Sequence, residues 1–239
     1  HMRFNIKQSV LALAILATGL ISSVANAEAL DTSKGEWPYY TGDIKGSRYS
    51  PLDQINADNF NDLELAWSFS TKNLGSRSEY KLEVTPIMID GILYATAGTR
   101  RTAIALDGKT GELLWLHSMK EGLRGGMAPR QLSGRGLSYW SDGKGDDRIY
   151  YVTTGYRLIA LNAHTGVPIN SFGTDGNGIL DLKIGAVQGN EVQIDLVTGE
   201  IGLHATPTVV GDMIIVGSAM KEGMTIDDYN NTKGLLRAF

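Results

Sequence analysis

A recurring unit limits the fold of this chain more than any other feature. Its first copy is Ala105-Leu106-Asp107-Gly108-Lys109-Thr110-Gly111-Glu112-Leu113-Leu114-Trp115, of the form A-x-D-x-x-T-G-x-x-x-W. A second copy, Ala160-Leu161-Asn162-Ala163-His164-Thr165-Gly166, lies 55 residues on and has Asn170 where the count would place the Trp. A third opens at Leu236-Arg237-Ala238-Phe239, where the sequence given stops. Self-similarity at a fixed spacing marks a repeat architecture, in which each unit buries its apolar face against its neighbours.

Each part of the unit has a physical reading. Thr102-Ala103-Ile104-Ala105-Leu106 suits a buried strand. Asp107 to Gly111 is a turn, with an acidic side chain to tie down backbone N–H groups and a glycine where φ must be positive. Leu113-Leu114-Trp115 opens the next strand. Upstream, Thr85-Pro86-Ile87-Met88-Ile89-Asp90-Gly91-Ile92-Leu93-Tyr94 reads as strand, Asp-Gly turn, strand. Thr206-Pro207-Thr208-Val209-Val210-Gly211-Asp212-Met213-Ile214-Ile215-Val216 repeats it with the turn order reversed. Four short antiparallel strands per unit predict an all-β fold, a β-propeller built of four-stranded blades. A β-sandwich with regular turns would not explain why A-x-[DN]-x-x-T-G returns at matching places. The 29 glycines against 6 prolines fit a fold of many tight turns.

Trp67, in Asp62-Leu63-Glu64-Leu65-Ala66-Trp67-Ser68-Phe69, resembles the Trp-bearing strand of the unit, 48 residues before Trp115. Residues 63–69 are expected to form the strand that closes the ring, with Trp67 and Trp115 as core or blade-packing residues. Long loops at 121–134 and 171–203 are expected to lie over a functional site.

The first 27 residues are of another kind. Arg3 and Lys7 precede an apolar run from Val10 to Ile21, and Ala25-Asn26-Ala27 follows. Such a run is too short to span a bilayer, which needs about 20 apolar residues. The expectation is a signal peptide cleaved after Ala27, a periplasmic mature chain over 28–239, and no transmembrane anchor. The chain has no cysteine, so burial and sheet pairing must hold the fold without disulfides. A formal net charge of -4 disfavours nucleic acid as a partner.

The 105–115 unit resembles the tryptophan-docking motif of the pyrroloquinoline quinone (PQQ) dependent alcohol and sugar dehydrogenases. Trp37-Pro38-Tyr39-Tyr40 and Gly46-Ser47-Arg48-Tyr49-Ser50-Pro51-Leu52-Asp53-Gln54-Ile55-Asn56 fit the same family, and the resemblance runs from Trp37 to Phe239. It implies an eight-bladed propeller with PQQ near its axis, of which this chain would supply about three blades. It further implies that the catalytic base lies beyond Phe239, so that residues 28–239 alone would be inactive.

Site residues carry over where local motifs match. Glu83, in Glu83-Val84-Thr85-Pro86, stands where the family has a glutamate beside the cofactor. Arg135, in Gly134-Arg135-Gly136-Leu137-Ser138-Tyr139, matches an arginine that contacts the quinone. Thr206 stands at a hydroxyl position that helps bind PQQ, and His204 where a threonine is common. Glu222, in Gly217-Ser218-Ala219-Met220-Lys221-Glu222, matches a glutamate that ligates calcium, or a lanthanide in its place. The chemistry wants these types: arginine offers fixed donors to carboxylates and quinone oxygens, and a hard cation wants carboxylate oxygens. Taken singly, Arg135 could pair with an acid on a neighbouring blade, Glu222 could be a solvated loop acid, Glu83 a strand-end acid and His204 a satisfied hydrogen-bonding histidine.

Many alcohol-oxidising members carry adjacent cysteines where this chain has Pro129-Arg130, which points to the glucose-dehydrogenase-like branch. The implied partners are a small alcohol or sugar and an electron acceptor, a quinone or cytochrome. The alternative function is a non-catalytic propeller scaffold of the cell envelope built on the same repeats. The Gly173–Gly178 stretch lacks the strand–turn–helix setting of a nucleotide loop, Asp142 to Asp147 reads as a polar hairpin loop, and His117 and His164 show no zinc spacing.

Overall fold

The computed structural model describes residues 30–182, 187–188, 192–193, 201–220 and 234–239. The N-terminal stretch expected to be a signal peptide and Glu222 lie outside the described residues, as does most of the second half of the 171–203 loop.

The turn chemistry of the repeat is visible atom by atom. Oδ1 of Asp107 accepts from the backbone N–H of Lys109 at 2.9 Å and of Thr110 at 2.7 Å, and from the Thr110 hydroxyl at 3.0 Å. Oδ1 of Asn162 accepts from His164 and Thr165 N–H at 3.0 Å and from the Thr165 hydroxyl at 3.1 Å. Only one oxygen is used, which is why Asp and Asn interchange. Gly111 (φ 73°) and Gly166 (φ 69°) then take the left-handed residue of each turn.

These turns join strands into blades. The first sheet runs β1 (Ile87–Ile89), β2 (Ile92–Ala97), β3 (Thr102–Asp107) and β4 (Leu113–His117), antiparallel and in chain order. Asp90 and Gly91, at φ 51° and 75°, make the primed hairpin between β1 and β2. A short helix, α1 (Gly122–Gly126), leads to the second sheet. That sheet is β5 (Ser138–Ser141), β6 (Asp147–Val152), β7 (Arg157–Asn162) and β8 (Ile179–Asp181). Two small ladders follow, β9 (Val187–Gln188) with β10 (Val192–Gln193), and β11 (Ile201–Gly202) with β14 (Ala219–Met220). The third sheet is β12 (Thr208–Val210), β13 (Met213–Gly217) and β15 (Leu236–Ala238). Its register confirms the third repeat: Ala238 faces Ile215 as Ala105 faces Tyr94.

The sheets stack face to face. Tyr94, Ala103, Ala105 and Trp115 of the first meet Tyr139, Ile149, Tyr151 and Ile159 of the second. Tyr150, Val152, Leu158 and Ala160 of the second meet Ile214 and Val216 of the third. Both faces of a blade are therefore apolar, and β3 is buried along nearly its whole length instead of alternating. Each fully buried Ile or Leu contributes about 1.5–3 kcal/mol.

The tryptophans dock as the repeat implies. The Trp67 indole N–H donates to Gly108 C=O at 3.2 Å, and that of Trp115 to Ala163 C=O at 2.8 Å, the same place one repeat on. The strand expected over 63–69 does not form among the described residues. Leu63 and Leu65 are exposed, because no neighbouring strand stands beside them to complete a ladder. Trp67 and Phe69 instead cover the outer face of the first sheet, where a preceding blade would lie.

The count that placed Asn170 at the docking position is corrected. Ala160 N–H bonds to Gly178 C=O at 2.9 Å and Ile159 faces Ile179, as Ile104 faces Leu116. Gly178, twelve residues after Gly166, thus stands where Trp115 stands four residues after Gly111. An inserted loop carries Asn170 out of the ladder.

Candidate cofactor site

At one end of the blades, the segments leading into the inner strands run side by side. Thr85 N–H donates to Arg135 C=O at 3.1 Å, and Arg135 N–H donates to His204 C=O at 3.0 Å. Each segment opens a different sheet, so three predicted site residues from three sheets arrive together. Glu83 and His204 hold matching places, two residues before Thr85-Pro86 and Thr206-Pro207. Gly136 (φ 130°) permits the approach: a Cβ there would stand 2.9 Å from the Thr85 carbonyl oxygen.

The side chains form a chain of polar contacts. Lys81 Nζ lies 3.1 Å from one Glu83 oxygen, and His204 Nε2 lies 3.1 Å from the other. The second His204 nitrogen, Nδ1, accepts from Arg135 Nε at 3.5 Å, and Arg135 Nη1 reaches the Tyr40 hydroxyl at 3.5 Å. Hydrogen bonds from Lys81 and then His204 hold the Glu83 carboxyl below its ordinary range. Burial pushes the His204 imidazole below its usual value, outweighing the opposite pull of Glu83. The Glu83–His204 contact at neutral pH is therefore a carboxylate accepting from a neutral ring, with Nε2 protonated and Nδ1 free to face the Arg135 cation.

Two hollows flank this array. One, of about 450 Å³, is walled by Tyr40, Arg135, Tyr139 and Thr206; the other, of about 490 Å³, by Lys81, Glu83, Gly134 and His204. Arg135 is exposed, and its two contacts are long, so most of the five donors of its guanidinium remain for a ligand. Thr206 Oγ1 is buried yet has no hydrogen-bond partner. A buried hydroxyl without a partner is costly unless something else satisfies it.

The loop above the site is fixed by buried charge. Glu121, its side chain 3% exposed, accepts from Thr153 and Thr154 hydroxyls at 2.7 and 3.0 Å, from Gly155 N–H at 2.6 Å, and pairs with Arg157. Arg124 grips Asp181 through two 2.7 Å bonds. The 121–134 loop, expected to lie over a functional site, lines the second hollow with residues 126–134 and is clamped to the second sheet.

Glu83, Arg135, His204 and Thr206 are thus gathered, and Glu222 lies outside the described residues. Tyr40 and Lys81 were missed. Tyr40 sat in the Trp37-Pro38-Tyr39-Tyr40 block, and Lys81 two residues before Glu83, on the same face of extended chain. A third missed residue, Arg101, lies beneath the array. No cluster of three or more metal-ligating side chains occurs among the described residues, and none of their helices is long and apolar enough to cross a membrane.

Comparison with known proteins shows the family. Residues 37–239 match the model of the PQQ glucose/ethanol/alcohol dehydrogenase β-propeller domain. The chain belongs to that family. It is 38% identical over 135 residues to the dehydrogenase subunit of the quinone alcohol dehydrogenase of Gluconobacter oxydans (strain 621H), a match covering 55% of this chain and 16% of the relative. It is 28% identical to the quinoprotein glucose dehydrogenase of the same organism, over 92% of this chain and 28% of the relative. The crystal structure of quinohemoprotein alcohol dehydrogenase from Comamonas testosteroni superposes with a TM-score of 0.61 at 29% identity, covering 81% of this chain and 24% of that one. The chain therefore spans less than a third of the length of these quinoprotein relatives, and its three sheets are blades of a quinoprotein propeller.

Proposed function

We propose that the protein carrying this segment oxidises a hydroxyl group of a sugar, polyol or alcohol with PQQ as acceptor, in the periplasm, and passes the electrons to a quinone or cytochrome. One observation carries the reading: Glu83, His204 and Arg135, from three blades, form one connected array beside the unpartnered Thr206 hydroxyl.

These residues fit the cofactor. PQQ is rich in carboxylate and quinone oxygens, and Arg135 offers charge and donors in a fixed plane. The Thr206 hydroxyl would gain from such a ligand the partner it lacks. Glu83, held ionised by Lys81 and His204, is an acceptor for a ligand donor or a bound cation. Gly134 and Gly136 let Arg101 and the Thr85 carbonyl pack directly against the backbone on either side of Arg135, which draws the three segments of the array together. Bound there, PQQ supplies a two-electron acceptor for the hydride lost by the substrate carbon. Glu222, by its motif, would ligate calcium or a lanthanide. His204 keeps Arg135 turned toward the hollow while its ring is neutral.

Pro129-Arg130 in place of adjacent cysteines favours a glucose-dehydrogenase-like substrate. An envelope scaffold would need Trp67 and Trp115 to dock but has no use for the array. The test is titration of the full-length protein with PQQ and calcium, followed by dye-linked assays on glucose, polyols and short alcohols. Saturable PQQ binding with substrate-dependent dye reduction supports the reading; a folded protein that binds no PQQ would leave the scaffold.

A further inference from the structure

Arg101 is the one buried cation of the described residues that works wholly through backbone. Its residue is 2% exposed, and its backbone is left-handed at φ 52°, uncommon outside glycine. Four carbonyls receive its guanidinium: Leu132 on Nε at 3.1 Å, Val152 and Leu203 on Nη1 at 3.2 and 2.6 Å, and Arg130 on Nη2 at 3.0 Å. No described carboxylate pairs with it; Glu79 and Glu121 act on it only through their field. Glu79 ties the same neighbourhood from the side, accepting from Gly98 N–H and Ser133 N–H at 2.9 Å each.

The places it grips are telling. Arg130 and Leu132 lie on the segment that ends in Arg135, and Leu203 is the residue before His204. Gly134, next to Arg135, sits directly on the guanidinium: a Cβ there would stand 2.8 Å from Arg101 Nε. The glycine of the Gly134-Arg135-Gly136 motif is required by what lies beneath it.

The repeat supplies a comparison within the molecule. Tyr156 stands 55 residues on, at the same place in the β6–β7 turn, also left-handed at φ 68° and also buried. Both turns close alike, Arg101 N–H on Gly98 C=O at 3.1 Å and Tyr156 N–H on Thr153 C=O at 3.2 Å. Tyr156 reaches into the third sheet and meets Arg237 through its hydroxyl at 3.3 Å. Coupling blades at this position therefore needs only an aromatic ring and one polar atom. An arginine with every donor group committed does something more.

We propose that Arg101 is a positioning residue of the cofactor site, which fixes Arg135 and His204 in one frame by holding the backbone on either side. The proposal rests on the cofactor reading above. It predicts that Arg101 acts through Arg135. A lysine keeps the charge but cannot reach three chain segments with one fork.

The test is a double-mutant cycle on the full-length apoprotein, read as the PQQ dissociation constant by fluorescence titration. Folding is checked by circular dichroism and the denaturant midpoint. Arg101→Lys should fold and bind PQQ at least tenfold more weakly. Arg135→Ala should do likewise, and the double variant should be no worse than Arg135→Ala alone. A purely structural Arg101 would instead give losses that multiply, and that result overturns the proposal, as would wild-type affinity in Arg101→Lys. If Arg101→Lys does not fold, Gly134→Ala, which pushes on the guanidinium from above, takes its place in the cycle. If neither folds, Arg101 serves the fold and not the site, and the proposal fails. Should Arg135→Ala bind PQQ normally, the cofactor reading itself falls and takes this one with it.

Discussion

The indole N–H of Trp115 donates to Ala163 C=O at 2.8 Å, while ring atoms of Trp115 stand 2.6 Å from where a Cβ on Gly166 would be. The Trp of one blade thus closes on the turn of the next, and the turn must be bare to receive it. Gly166→Ala is expected to destabilise the protein by about 1–3 kcal/mol, from overpacking against an immobile ring and from a left-handed φ that alanine resists. Gly111→Ala, under Trp67 in the same geometry, should do the same. Denaturant midpoints of the full-length protein measure it; an unchanged midpoint in both variants would remove docking as the force between blades.

Glu121 makes a second prediction. Its carboxylate is enclosed by two hydroxyls, a backbone N–H and Arg157. Removing one member of a buried charged group strands the others, typically at a cost of about 3–5 kcal/mol. Glu121→Ala should free the loop around α1 and expose the bond after Arg124 to trypsin. Equal cleavage rates in variant and wild type would show that the clamp is not what holds the loop.

A third concerns acid. Burial depresses the His117 pKa from 6.5, and its Nδ1 lies 2.8 Å from the Tyr151 hydroxyl. His204 is depressed as well. A histidine with a lowered folded pKa stabilises the fold fully above 6.5, and that contribution is lost as pH falls through the lowered value. The shifted carboxylates begin from 4.5 for Glu83 and 3.8 for the aspartates and are lowered further. Among the described residues, a stability decline as pH falls below 6.5 therefore belongs to the two histidines. His117→Gln should flatten it in denaturant titrations across that range; an unchanged slope would contradict the assignment.

The fold was legible because the repeat writes its turn chemistry into fixed residues: Asp107 and Asn162 each spend one oxygen on the same donors, and Gly111 and Gly166 follow. Trp115 was legible for the same reason. Asn170 misled because an insertion leaves no mark on a count, and only the ladder shows Gly178 in its place. Glu83, Arg135, His204 and Thr206 were reached through motif resemblance, and hydrogen bonds between their segments show why they belong together. Arg101 was invisible. In Thr99-Arg100-Arg101-Thr102 it reads as a polar turn, and nothing local says that one of two adjacent arginines turns inward to bond carbonyls of Val152 and Leu203, far along the chain.

Arg135, in contact with His204 through Nε, is the proposed PQQ ligand. The most direct measurement of that role is the PQQ affinity of the full-length apoprotein, with calcium present, beside the Arg135→Ala variant. The wild type should bind PQQ saturably and Arg135→Ala at least tenfold more weakly, in line with about 1.5–3 kcal/mol for a lost charged hydrogen bond. Equal affinities in two folded proteins, or no PQQ binding by the wild type, would contradict it.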